Sequence, residues 1–400
     1  MKSKLNFKIS NMLLYFFKNE SSSGILLLIC AITSIIIANS SFAETYNHIL
    51  HKYITIGYGK FSLSLSVLHW INDGLMTIFF LVVGTEIKRE LVIGELKSIK
   101  KTILPISAAI GGMIIPAIIY SLFNYNQTTF SGWGIPMATD IAFALGVLSL
   151  VGKNAPKGIV VFLTALAIID DLGAIIVIAV FYTNQISWIA LFLGLLVFVG
   201  LLLANKVNNK FTSIFIIGGI LLWLCLLKSG IHATIAGVLL GMTLPLGKGD
   251  KEPENSMLYR FEHTLAPWSS FVIMPIFALA NSGITINVNS LSSYLVTPVS
   301  LGIIFGLFFG KQLGVFGVSY ILIKLKIAKL PSQVTKMHLY GASALAGIGF
   351  TMSLFVSSLS FTDETALSSA KISIMIASVL SAVLGSVVFK LINFPSNNSK

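Results

Sequence analysis

About a dozen apolar runs, each near the ~20 residues that carry a helix across a bilayer, fill this 400-residue chain. They fall near residues 24–40, 70–87, 104–123, 134–151, 158–181, 187–205, 211–227, 231–246, 268–285, 294–316, 336–359 and 366–392. In hydrocarbon the backbone must satisfy its own polar groups, so such runs fold as helices. The expected fold class is an all-α polytopic membrane protein with about 12 transmembrane helices. Charged side chains make up only 10% of the residues, against about a quarter in soluble domains. Loops are short, leaving one transmembrane domain over residues 1–400. The two cysteines, Cys30 and Cys225, sit inside apolar runs and form neither a disulfide framework nor a metal-ligand spacing.

The formal net charge of +12 raises the question of a nucleic-acid partner. Its distribution answers it. Lys2, Lys4, Lys8 and Lys18 precede the first run, and Lys88, Arg89, Lys97, Lys100 and Lys101 follow the second. Loops on that same side hold Lys153, Lys157, Lys206, Lys210, Lys248, Lys251, Arg260, Lys324, Lys326, Lys329 and Lys336, and the C-terminal end adds Lys390 and Lys400. These are 22 of the 27 basic residues; Lys52, Lys60, Lys228 and Lys371 fall on the other side and Lys311 within a run. Cytoplasmic loops carry the excess of Lys and Arg. The charge therefore reports topology in a lipid bilayer, with both termini cytoplasmic, and no nucleic acid is implied. The longest outer connection, 41–69, alternates apolar and polar residues on both sides of Gly57-Tyr58-Gly59. That pattern predicts a small periplasmic β-hairpin near 49–67. An isolated hairpin is marginal in water, so it leans on the membrane domain or on a second subunit.

Asp140, Asp170, Asp171 and Lys311 lie inside apolar runs. Each costs ~2.5–3.5 kcal/mol at a helix centre, and the four together cost on the order of 10 kcal/mol before any pairing. That is comparable to the stability of a whole domain. A purely structural ion pair accounts for one Asp with Lys311, not for three carboxylates, so these groups must face one another or a wet cavity. Asp170 and Asp171 are helix neighbours, about 100° apart around the axis. One can meet a partner such as Lys311 while the other faces an aqueous funnel. Two close carboxylates in a low dielectric do not both ionise easily, so protons reside there. Na⁺ or Li⁺ needs hard oxygen ligands, and the same oxygens supply them once deprotonated. H⁺ and cation then compete for one site, which suffices for exchange.

Asp140 lies in Gly134-Ile135-Pro136-Met137-Ala138-Thr139-Asp140, where Gly, Pro and a Thr-Asp pair predict a broken helix. Ala344-Leu345-Ala346-Gly347-Ile348-Gly349 predicts a second interruption. Freed backbone groups at such depth are tolerated only where protein or cavity water satisfies them. Interrupted segments in corresponding positions suggest an inverted repeat with a site near the midplane. Half-helix N-termini carry partial positive charge and C-termini partial negative charge. Asp140 suits the former and Lys311 the latter.

Asp170-Asp171, Thr139-Asp140, Gly310-Lys311 and Gly347-Ile348-Gly349-Phe350-Thr351-Met352 resemble the NhaA family of Na⁺/H⁺ antiporters. So do Gly84-Thr85-Glu86-Ile87-Lys88-Arg89-Glu90-Leu91 and Ser229-Gly230-Ile231-His232-Ala233-Thr234-Ile235-Ala236-Gly237. The similarity runs in order from about residue 20 to 390. NhaA is itself a standard example of the inverted-repeat transporters. The resemblance implies two inverted three-helix repeats, near 104–181 and 294–392, with discontinuous fourth and eleventh helices that cross. It also implies a homodimer joined partly through the outer hairpin. Asp170 and Asp171 would bind cation and protons, with Thr139 close by. Asp140 and Lys311 would compensate helix ends, and Lys311 would pair with Asp170. Glu86, Lys88, Glu90, Glu262 and His263 match a cytoplasmic cluster associated with alkaline activation. As plain sequence, Glu86 to Glu90 is also a solvated helix end and His263 a loop residue.

The chain departs from the family at Gln312, where a Pro is common after the lysine, and at Ala266, where a second His occurs in well-known members. Asp73 reads as a helix-start residue at the interface, with a place on the cation route as its alternative, and His232 as a packing residue at a helix end, with a report of pH as its alternative. The expected function is electrogenic exchange that expels Na⁺, and Li⁺, against inward H⁺, regulating internal pH and Na⁺, with no cofactor and no enzymatic reaction. The alternative is a Na⁺-coupled organic anion transporter of similar architecture. A Gly-x-Gly-Asp sequence of intramembrane proteases occurs at 247–250, but in a charged loop.

Overall fold

The computed structural model describes residues 20–58, 62–152, 155–183, 186–207, 210–247, 253–285 and 294–393. The basic residues Lys2, Lys4, Lys8, Lys18, Lys60, Lys153, Lys248, Lys251 and Lys400, and Gly249-Asp250, lie outside them. Helix α1 (Glu20–Ala38) leads into α2 (Ala43–His51) through a bend of 112°. The expected hairpin follows as β1 (Tyr53–Ile56) and β2 (Leu63–Ser66), antiparallel, with Tyr53 opposite Ser66 and Ile56 opposite Leu63. Its turn at Gly59 and Lys60 lies outside the described residues.

The apolar runs then form α3 (Val67–Val92), α4 (Ile99–Phe123), α5 (Ile141–Val151), α6 (Lys157–Phe181), α7 (Trp188–Lys206), α8 (Thr212–Ser229) and α9 (Ile235–Thr243). The second half holds α10 (Met257–Asn281), α11 (Pro298–Lys324), α12 (Lys336–Leu345), α13 (Phe350–Ser360) and α14 (Glu364–Asn393). Among the described residues, eight helices are long and apolar enough to cross a membrane, and three bent pairs raise this to 11. The remaining run, 231–246, yields only the nine-residue α9. At 1.5 Å per residue that helix covers about half of a hydrocarbon core.

Three boundaries differ from the sequence reading for physical reasons. α3 begins at Val67, where the Ser66 hydroxyl accepts from the His69 N–H at 3.2 Å. Asp73 therefore lies inside the helix, in wide turns over Trp70–Leu75, and pairs with His69 Nε2 at 2.7 Å. α10 starts at Met257 because Ser256 caps it. Glu262 and His263 thus stand on a helix and not in a loop. α11 continues to Lys324 through wide π-type turns at Gly306–Gly310 and Gln312–Gly317, on both sides of Lys311. Such turns recur at functional sites inside helices.

Small residues set the closest helix contacts. A Cβ on Gly84 of α3 would stand 2.6 Å from the Val238 carbonyl oxygen, and one on Gly241 of α9 2.8 Å from that of Leu81. Membrane helices gain packing when backbones approach this closely. Short α9 is thereby held against α3, whose C-terminal end carries Glu86 to Glu90.

Candidate cation site

Both predicted interruptions are present. The chain runs as a 3₁₀ segment, Thr128–Met137, is extended at Ala138 and Asp140, then enters α5 after a bend of 42°. α12 and α13 are separated at Ala346–Gly349 by a bend of 43°. The two breaks meet: the Asp140 N–H donates to the Ile348 carbonyl at 2.7 Å. The Ser353 hydroxyl donates to the Ile135 carbonyl at 2.8 Å.

Asp140 serves the N-termini of both half-helices. Its Oδ1 accepts from the Phe143 N–H of α5 at 3.0 Å. Its Oδ2 accepts from the Thr351 N–H of α13 at 3.1 Å and from the Thr351 hydroxyl. Charge-assisted bonds to helix-start N–H groups are strong, and an ionised carboxylate at this place would face two positive helix ends at once. Thr351 was visible only as part of a motif. Its position two residues into the second half-helix is the signal that assigns it this contact.

Asp170 and Asp171 are fully buried on α6 and point different ways, as helix geometry requires. Asp170 Oδ2 lies 2.6 Å from Lys311 Nζ, and Lys311 has no exposed surface. The Thr139 hydroxyl is 2.8 Å from the same carboxylate oxygen and 2.9 Å from the Ala346 carbonyl. A hydroxyl has one proton, so it serves one of these acceptors at a time. The Ala346 carbonyl at the end of α12 is thus met by Thr139, while Lys311 is engaged with Asp170.

Asp171 instead lines a cavity of about 170 Å³, together with Asp140, Glu86, Ser23, Ser269 and Met352. Neither Asp170 nor Thr139 lines it. Among the described residues, Asp170 Oδ1 and Asp171 Oδ1 are buried without a hydrogen-bond partner. Buried acceptors left unmatched are costly, and two carboxylate oxygens of adjacent residues in that state suit a cation or a proton.

The residues implied for pH response divide into separate places. Glu86 faces the Asp171 cavity. Lys88 Nζ donates to the Leu244 carbonyl at 2.6 Å, at the end of α9. Arg89, which the sequence reading used only as a topology charge, is the hub. It binds Glu262 through Nε at 3.0 Å and Glu90 through a terminal nitrogen at 2.9 Å. His263 stacks on Tyr259 with centroids 3.9 Å apart. His232 Nε2 is 2.8 Å from the Tyr182 carbonyl, the helix-end packing expected of it.

Comparison with known proteins agrees with this architecture. A family model described as Na+/H+ antiporter 1 matches residues 15–389. The chain is 73% identical over 394 residues to Na(+)/H(+) antiporter NhaA 1 of Clostridium beijerinckii, covering 98% of each. It is 49% identical over 373 residues to the NhaA antiporter of Pelagibacter ubique, covering 93% of this chain and 95% of that one. Against the NhaA antiporter of Vibrio cholerae the identity is 46% over 386 residues, with 96% and 98% covered. With the family match spanning nearly its whole length, this multi-pass membrane protein belongs to the NhaA family of Na⁺/H⁺ antiporters, transporters rather than enzymes.

Proposed function

We propose that this antiporter is electrogenic, expelling Na⁺ and Li⁺ against inward H⁺, because cation and protons compete for Asp170 and Asp171. The observation that carries the reading is the pair of buried, partnerless carboxylate oxygens, one beside Lys311 and one on a cavity. With Thr139 they form an oxygen set suited to a small hard cation. Cation entry through the cavity displaces a proton from Asp171. Its approach to Asp170 draws that carboxylate from Lys311, and the Asp170–Lys311 pair gives up a second proton. Coupled groups of this kind release protons as a unit, not residue by residue. Two protons per cation move net charge.

The organic-anion alternative is disfavoured. A cavity of about 170 Å³ with acidic walls is smaller than the ~300–1,000 Å³ of small-molecule sites.

The basic loops put both termini in the cytoplasm of the bacterial inner membrane. The cavity beside the start of α1, the Glu86 end of α3 and the middle of α10 then opens inward. The segments near 104–181 and 294–392 read as inverted repeats within a single domain, since each contributes one half of the crossing. β1 is exposed along its whole length, and an edge strand pairs readily. We assign it to the contact of a homodimer. The Arg89–Glu262–Glu90 network, with Glu86, Lys88 and His263 nearby in the fold, is the candidate device for response to cytoplasmic pH and so for internal pH regulation.

Electrogenicity has a direct test. In proteoliposomes, imposing a membrane potential, negative on the side that receives protons, accelerates exchange. The field contributes about 2.3 kcal/mol per charge per 100 mV. Exchange that is indifferent to voltage refutes the two-proton scheme.

A further inference from the structure

We infer that Gln312 and Tyr340 are a positioning pair that sets cation affinity by holding the carbonyl end of α12 against Thr139. The inference rests on the exchange reading above. Gln312 directly follows Lys311. In the wide turn before it, the Lys311 N–H reaches back to the Gly306 carbonyl, so the ordinary ladder is displaced. Gln312 Nε2 donates to the Phe308 carbonyl at 2.6 Å. Its Oε1 accepts from the Tyr340 hydroxyl of α12 at 2.8 Å. Both ends of the amide are therefore committed, and a proline at 312 would make neither bond.

The contact is one stitch in a longer seam. Phe316 meets the Tyr340 ring edge-on at 5.4 Å, and Lys336 Nζ lies 5.0 Å from the Tyr320 ring centre. Aromatic and cation–π contacts of this kind add to simple burial. α12 is thus fixed to the helix that bears Lys311.

Six residues beyond Tyr340, about 9 Å along a helix axis, the Ala346 carbonyl faces the Thr139 hydroxyl. Thr139 lies on Asp170 Oδ2, which Lys311 holds. The hydrogen bonds close a circuit that leaves α11 at Gln312 and returns to it at the adjacent Lys311. Thr139 has one proton and two acceptors. Donated to Ala346, it leaves the hydroxyl lone pairs free to serve a cation beside Asp170. Donated to Asp170, it joins Lys311 on Oδ2 and helps to hold that carboxylate back from the cation. By keeping Ala346 in place, the pair favours the first arrangement.

The test is Na⁺-induced dequenching of a pH dye in everted vesicles from a host lacking its own exchangers. Gln312→Leu and Tyr340→Phe each raise the Na⁺ concentration for half-maximal response by about fivefold, the worth of one net hydrogen bond. Maximal rates stay within about twofold, since the loss falls on binding. The double variant also shows about fivefold, where independent effects would give about 25-fold. At fixed Na⁺ the half-activation pH moves alkaline, because protons compete better against a weaker cation site. Unchanged half-saturation in either single variant, multiplied effects in the double, or a loss confined to maximal rate overturns the pair. Wild-type vesicles with no Na⁺ response overturn the exchange reading itself, and the pair with it.

Discussion

Asp171→Asn eliminates Na⁺-induced proton release, leaving dequenching in everted vesicles at the level of vesicles without the protein. Asn keeps the shape and one oxygen, but it carries no titratable proton and no charge. Asp171 is the member of the pair that lines the cavity, so the change removes the first exchange step and not merely a neighbour of it. Asp170→Asn cannot substitute for this test, because that carboxylate also holds Lys311. Exchange at the wild-type level in Asp171→Asn would remove Asp171 from the site.

Lys311→Leu has the second large effect, and it falls on stability. The side chain is wholly buried and bonded to Asp170 at 2.6 Å. Removing one member of a buried pair strands the other and costs about 3–5 kcal/mol. The purified variant in detergent therefore unfolds at a clearly lower temperature than the wild type. Adding Asp170→Asn to Lys311→Leu removes the stranded charge and restores most of the loss, while exchange stays absent. An unchanged unfolding temperature in Lys311→Leu would mean that the pair does not bear on the fold.

Much of this was legible in the residues. The Asp170-Asp171 step on one helix already required two directions, and the structure turns one carboxylate to Lys311 and the other to the cavity. Gly134, Pro136, Gly347 and Gly349 marked both breaks. Other features were hidden because their cause is distant in the chain. Arg89 looked like one more basic residue after an apolar run, since its partner Glu262 is 173 positions away. Hydropathy hid the start of α10, where Arg260, Glu262 and His263 interrupt the apolar pattern but not the helix. Asp73 looked like a helix start because the cap at Ser66 precedes the apolar run. Gln312 was visible only as a missing proline. Its role needed Tyr340, which no local pattern connects to it.

The most direct measurement of the central claim is Na⁺ affinity of the purified protein in detergent, titrated calorimetrically from mildly acidic to alkaline pH. If H⁺ and Na⁺ contest the same oxygens, the apparent dissociation constant rises as pH falls, by about tenfold per pH unit for each competing proton, and binding releases protons into the buffer. An affinity that stays flat over that range, with no protons released, would contradict the account.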